Sequence, residues 1–228
     1  MENDSLLVFI TGQTLSMVFM KSLLDVLKED VMPDGQHRFG LAWAAVMGPY
    51  IHDNRNKLQR LFMDQAEEKR DWLFMVDNDM CFTYADVLAL YAEADARGPG
   101  IYAAAYVLED GSLVTGRWAE DDPEGAYQKA YRIDWSHPTQ MDVVGAGFTL
   151  IHRDVFEAMG PDAFTPYVGV MGEDLSLCKR AGNAGFRPWV VPAANPGHFK
   201  TLVAYPERQF GNMLGDQVQA RKLEGATT

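Results

Sequence analysis

Trp72-Leu73-Phe74-Met75-Val76 runs directly into Asp77-Asn78-Asp79 and Met80, and this junction decides how the chain around it is read. Five consecutive apolar or aromatic residues stopped by polar, turn-forming ones predict a strand buried on both faces, as in a sheet covered by helices. The strand ends on two carboxylates. Because strand side chains alternate in direction, Asp77 and Asp79 are expected to point the same way past the sheet end, where two hard oxygen donors can share one divalent cation. A cation held there calls for an anionic ligand, most simply a diphosphate. The competing reading is a strand followed by a turn, with Asp79 or Thr83 capping a helix over Tyr84 to Ala96. An Asp-x-Asp triplet also arises readily by chance in a chain with 32 acidic residues.

Upstream, Leu6 to Ile10 predicts a short buried strand ending at Thr11-Gly12-Gln13-Thr14. A helix follows, with Leu15, Val18, Phe19, Ser22 and Leu23 on one stripe. A second strand is expected over Phe39 to Val46, stopped by Gly48-Pro49, and a second helix over Ile51 to Lys69, with Leu58, Leu61, Phe62 and Gln65 at helical spacing. Strand-helix repeats with short loops imply a mostly parallel sheet flanked by helices, where ligands collect at the carboxyl ends of the strands. Thr11, Gly12 and Gln13 are therefore expected to offer amides to a nucleotide, and Tyr50, like Trp43, to stack on a base, although aromatics beside a strand end usually serve the core. The loop lacks the Gly-Lys-Ser/Thr ending of a P-loop.

Downstream, Ile101 to Leu108 predicts another strand. Glu109 to Ser136, punctuated by Gly, Asp and Pro, reads as an antiparallel insertion with strands near Leu113 to Trp118 and Ala126 to Ile133. Met141 to Val144, Gly145-Ala146-Gly147 and Phe148 to His152 return to the core, and Arg153 to Met159 predicts a short helix closed by Gly160. Gly172-Glu173-Asp174 opens a helix that ends near Gly182. A short strand at Pro188 to Val191 leads into a Pro- and Gly-rich loop carrying His198 and Lys200. Ala204 to Leu223 is amphipathic and expected to be helical.

The chain has 228 residues, 47% of them hydrophobic, enough for one domain with a substantial core. A net charge of -12 argues against sequence-independent binding to nucleic acid or to an anionic membrane surface, so any phosphate must be held locally. The only cysteines, Cys81 and Cys178, form neither a disulfide framework nor a zinc pattern. With an acidic N-terminus and no run approaching the ~20 apolar residues of a membrane span, the expectation is a cytoplasmic protein complete without processing.

The order of these features resembles the GT-A-fold glycosyltransferases of the family 2 type. The likeness rests on Asp77-Asn78-Asp79, Gly145 to Phe148 as Gly-x-Gly-Phe, Arg153-Asp154-Val155-Phe156, Gly172-Glu173-Asp174 and Gly197-His198; Asp53-Asn54-Arg55-Asn56 matches the Arg-Asn helix that precedes the motif strand in that family. It covers roughly residues 6 to 200. Its implication is an α/β GT-A domain over residues 1–203, Rossmann-like with a small antiparallel insertion, followed by a helix and tail over 204–228. The activity implied is transfer of a single hexosyl unit from a UDP- or GDP-linked sugar to a protein, lipid or glycan acceptor. Self-association stays open.

By the same resemblance Asp79, with Asp77 directly or through water, and His198 hold Mn²⁺ or Mg²⁺ against the donor diphosphate. Asn78 and Gly147 then lie against the nucleotide-sugar, with Lys200 or Arg55 as a further positive contact. Asp174 is the general base for the acceptor hydroxyl in an inverting transfer, and Glu173 orients the acceptor or its loop. The plainer reading of Glu173 and Asp174 is two acids favoured by the exposed amides and dipole of a helix N-terminus. Three alternatives stand beside the main reading. One is a retaining GT-A enzyme, as in mannosylglycerate synthase-like and polypeptide N-acetylgalactosaminyltransferase-like families; the others are a sugar nucleotidyltransferase and a non-catalytic sugar-binding protein. The sequence departs from the family at Thr11-Gly12-Gln13-Thr14, where a Pro-Thr-Tyr-Asn-like opening is usual. It also lacks the Gln-x-x-Arg-Trp of processive polymerases, which favours single-sugar transfer.

Overall fold

A computed structural model describes residues 5–11, 16–31, 42–48, 50–64, 70–108, 111–118, 127–129, 133–167 and 172–199, with 5–11, 42–47 and 127–129 described by backbone course alone. The chain opens with β1 (Ser5–Thr11), α1 (Met17–Glu29), β2 (Ala42–Met47), α2 (Ile51–Met63) and β3 (Trp72–Asp77). After β4 (Met80–Cys81) come α3 (Tyr84–Arg97), β5 (Ile101–Ala104) and the side strands β6 (Thr115–Trp118) and β7 (Tyr127–Lys129). β8 (Thr139–Gln140), β9 (Val143–Val144), β10 (Phe148–His152), α4 (Arg153–Met159), α5 (Glu173–Asn183), β11 (Trp189–Val191) and β12 (Gly197–His198) complete the described elements.

The central sheet has the order β2-β1-β3-β10-β5-β11-β8. β1 pairs in parallel with β2 and β3, and β5 with β11, but β10 runs antiparallel to β3 and β5, and β8 antiparallel to β11. The expected mostly parallel sheet is therefore mixed: β1, β2, β3, β5 and β11 share a direction that β8 and β10 oppose. The chain enters β10 from β9 through Gly145-Ala146-Gly147. β9, expected with the core, lies instead in a small antiparallel sheet of order β7-β6-β9, whose other two strands fall in the expected insertion.

Strand alternation divides the core. Leu73 and Met75 of β3 face one layer with Leu58 and Phe62 of α2, Phe156 of α4 and Leu177 of α5. Trp72, Phe74 and Val76 face the other, with Phe19 and Leu23 of α1 and Leu90 and Tyr91 of α3. Helix starts follow local chemistry. Ser16 Oγ accepts from Phe19 N at 3.0 Å, and Thr83 with Asp86 forms a capping box in which Thr83 N donates to Asp86 Oδ2 at 2.8 Å. Thr83, one of the two residues considered for the cap of α3, is the one that fills it. α2 ends at Met63, short of the expected Lys69, with residues 65–69 outside the described ones. The tail expected to be helical from Ala204 also lies outside them.

α2 carries an unusual buried polar face, Asn54, Arg55, Asn56 and Gln59. Asn56 Oδ1 accepts from Phe164 N, and Gln59 bridges Ala163 N and Gly160 O, each at 2.9 Å. These bonds tie the segment leading towards α5 to α2, and so set the N-terminus of α5 opposite Arg55.

Candidate functional site

The site is assembled at the carboxyl end of β3. Asp77, the last residue of that strand, donates its backbone N–H to Gly147 O at 2.8 Å. Its carboxylate takes both oxygens to Arg55 Nη2, at 3.0 and 3.1 Å. Arg55 Nη1 turns the other way, donating to Glu173 Oε1 at 2.8 Å and to Asp174 Oδ1. The guanidinium side chain is 1% exposed, while the three carboxylates keep 20–24% of their surface open. A buried cation thus binds the end of β3 to the start of α5.

The electrostatics follow from that geometry. Burial alone would lower the Arg55 pKa, but Asp174, Asp77 and Glu173 together hold it well above its ordinary value, so it is a fixed charge. Asp174 moves in the opposite sense to most paired acids. Desolvation pushes it up to about 6 against the pull of Arg55, with Glu173 and Asp77 adding repulsion. One cation among three carboxylates leaves this half of the site formally at -2.

Asp79 is placed differently from expectation. β3 ends at Asp77, and Asn78 and Asp79 form the turn into β4, so strand alternation does not carry across to Asp79. It meets His198 instead, Oδ2 to Nε2 at 3.3 Å. The encounter is built by backbone pairing: β12 lies antiparallel to β4 with His198 opposite Met80, and Phe199 N donates to Asp79 O at 2.6 Å. His198 Nδ1 lies 3.0 Å from Val107 O. A carbonyl can only accept, so Nδ1 carries a proton; Nε2 faces the carboxylate as an acceptor in the neutral ring and as a donor in the imidazolium.

With the imidazole neutral, two acceptors 3.3 Å apart are suited to a positive group between them. Adjacent ligands of an octahedral ion at about 2.1 Å are separated by about 3 Å, so the pair fits a divalent cation. Among the described residues no group of three or more His, Cys, Asp or Glu converges as a metal cage. Two protein ligands would leave the remaining positions to water and to oxygens of a bound ligand, a common arrangement for Mg²⁺ against phosphates.

Of the other expected contacts, Gly147 lies in the wall of the site and Asn78 in the turn between the two aspartates, partly buried. Tyr50 precedes α2 and is 61% exposed, its ring 5.9 Å from that of His52. Thr11 ends β1 opposite Met47, and Gly12, Gln13 and Lys200 lie outside the described residues. The reading of the sequence missed Tyr106. Its hydroxyl accepts from Gly147 N at 3.1 Å, and burial first, then Asp174 and Asp77, hold its pKa well above the ordinary value. The signal was there in Gly145-Ala146-Gly147. A Cβ at Gly145 would stand 2.2 Å from Tyr106 Oη and 2.3 Å from Val114 Cγ1, and one at Gly147 would stand 2.7 Å from the same hydroxyl and 3.1 Å from Asp77 Oδ2. Gly145→Ala is accordingly expected to cost ~1–3 kcal/mol through overpacking, read as a fall of at least about 2 °C in melting temperature. An unchanged melting temperature would mean the phenol yields freely.

No family model matches the chain, and no curated protein does. Among solved structures, A197 from STIV matches with a TM-score of 0.62 at 18% identity over 90% of this chain and 91% of that one. GalNAc-T7, solved with UDP, GalNAc and Mn²⁺, matches with a TM-score of 0.59 at 12% identity over 90% of this chain. The chain spans 45% of the length of that GalNAc-T7 chain. At these identities the likeness is one of fold: an α/β domain with a mixed central sheet.

Proposed function

We propose that this chain transfers a single sugar from a nucleotide-diphosphate sugar to an acceptor hydroxyl, with Mn²⁺ or Mg²⁺ held by Asp79 and His198. The observation that carries the reading is the meeting, at one strand end, of an acceptor pair fitted to a cation and a carboxylate, Asp174, whose pKa of about 6 suits a general base near neutrality. The fold shared with GalNAc-T7 supports it. The bound cation would supply charge neutralisation on the departing diphosphate. Asp79 and His198 orient that end of the donor; Asp174 takes the proton of the acceptor hydroxyl as it attacks, favouring inversion. Glu173 and Asp77 stay on Arg55 and set the direction in which Asp174 presents its second oxygen. A domain over residues 1–203 with a tail over 204–228, donor contacts from Thr11, Gly12, Gln13, Asn78, Tyr50 and Lys200, and a cytoplasmic location belong to the same proposal. Among the described residues no helix is long and apolar enough to cross a membrane.

The test is thermal unfolding with UDP-, GDP-, dTDP- and CMP-linked sugars, each with Mn²⁺ and with a chelator. Donor at ~100 times its dissociation constant adds about 2.7 kcal/mol, a rise of roughly 5–11 °C for a protein of this size. One nucleotide class is expected to give that rise with Mn²⁺ only, and Asp79→Ala or His198→Ala to abolish it while leaving the unliganded protein folded. A rise indifferent to chelator and to both substitutions would favour a metal-free sugar-binding protein.

A further inference from the structure

β12 is two residues long, too short to fix the rotation of a side chain by itself, and the imidazole of His198 has one hydrogen bond to backbone, through Nδ1 to Val107 O at 3.0 Å. That bond sets the tautomer and one edge of the ring, and its flat face is left to a second contact. The second restraint is the ring of Tyr106, set edge to face against the imidazole with centroids 5.3 Å apart and planes at 79°. Tyr106 is itself locked. It is 6% exposed, its carbonyl accepts from Val114 N at 3.0 Å, and its hydroxyl accepts from Gly147 N at 3.1 Å in the space that glycines at 145 and 147 leave open. Gly147 O in turn receives the backbone N–H of Asp77 at 2.8 Å.

One buried side chain therefore touches both halves of the site. We propose that Tyr106 is a positioning residue: its ring aims His198 Nε2 at Asp79, and its hydroxyl holds the Gly147 peptide against the end of β3. The inference rests on the reading of Asp79 and His198 as ligands of a divalent cation. It goes beyond it by assigning the orientation of the pair to a residue that no motif marks. A tyrosine that merely filled the core would be replaceable, at a cost in stability, without any change in metal affinity. A residue that orients a ligand is not, since loss of such a partner typically weakens metal binding 10–100-fold.

The experiment is Mn²⁺ binding to the full chain in the presence of UDP, followed by the paramagnetic resonance of free Mn²⁺, for wild type, Tyr106→Phe and Tyr106→Leu. Phe keeps the ring and is expected to bind Mn²⁺ within about threefold of wild type, while Leu, matched for apolar character without the ring, is expected to bind at least tenfold more weakly. Where the leucine variant does not fold, Tyr106→Met takes its place under the same criterion. Equal affinity in all three folded proteins overturns the role of Tyr106 and leaves the metal reading standing. Absence of Mn²⁺ binding to wild type overturns the metal reading, and this inference with it.

Discussion

Arg55→Met is expected to lower the melting temperature by roughly 6–12 °C at pH 7, the largest stability loss of any single substitution at this site. The guanidinium side chain is 1% exposed and contacts Asp77, Glu173 and Asp174. Removing one partner from a buried ion cluster typically costs 3–5 kcal/mol, because the charges left behind have lost both water and counter-ion. The carboxylates here keep 20–24% of their surface in solvent, which places the expectation at the lower end, about 3 kcal/mol. The loss should depend on pH in a definite direction. Arg55 holds the Asp174 pKa down against desolvation, and without it that pKa climbs beyond about 6, further above its unfolded value. A carboxyl with a raised folded pKa stabilises the fold when protonated, so the deficit of the variant narrows as pH falls from 7 towards 5. Arg55→Lys should lie between the two, since one ammonium cannot reach acids on opposite sides as the planar fork does. Scanning calorimetry at both pH values decides the matter. A melting temperature within 2 °C of wild type at pH 7 would mean that the three acids relax into water and that the cluster holds nothing together.

This cluster marks the limit of what the sequence made legible. Period and punctuation located α3, β3, β10 and α4 closely, because each is a local pattern with its own stop signal: Thr83 before α3, Asp77 at the end of β3, Gly160 after α4. The motif order singled out Asp77, Asp79, Glu173, Asp174 and His198. What it could not supply was their partners. Arg55 meets acids 22, 118 and 119 residues away, a juxtaposition created by tertiary packing alone. The alternation rule paired Asp79 with Asp77 because it assumed the strand continued, whereas the backbone turns at Asn78. β4 and β12 are two residues each, below the length at which periodicity carries information, yet their pairing is what brings His198 to Asp79. β10 is fully buried through its first four residues, and a strand buried on both faces carries no mark of its direction. Tyr106 was hidden in a run of strand-forming residues. Only the need for two glycines opposite it betrays the phenol.

For Asp174→Asn the expected result is retained metal-dependent donor binding with transfer reduced by about 10²–10⁴-fold, the usual contribution of a general base. The amide keeps an oxygen for Arg55 Nη1 and removes one of three mutually repelling acids, so the melting temperature should not fall. That separates this substitution from Arg55→Met, in which stability falls. The pH profile supplies the sharper discriminant. With its pKa raised to about 6 by desolvation, Asp174 is mostly ionised at neutral pH and becomes protonated as the medium acidifies through that value. Transfer by the wild type should therefore hold steady above about pH 7 and fall tenfold per unit below about pH 5, while the residual rate of the Asn variant stays flat across the same window. A carboxylate that only contacts sugar hydroxyls, as a retaining mechanism would have it, predicts a change in donor affinity instead, with no acid limb attached to this residue. Near-normal turnover in the variant, or an acid limb that survives the substitution, would remove Asp174 from the base role.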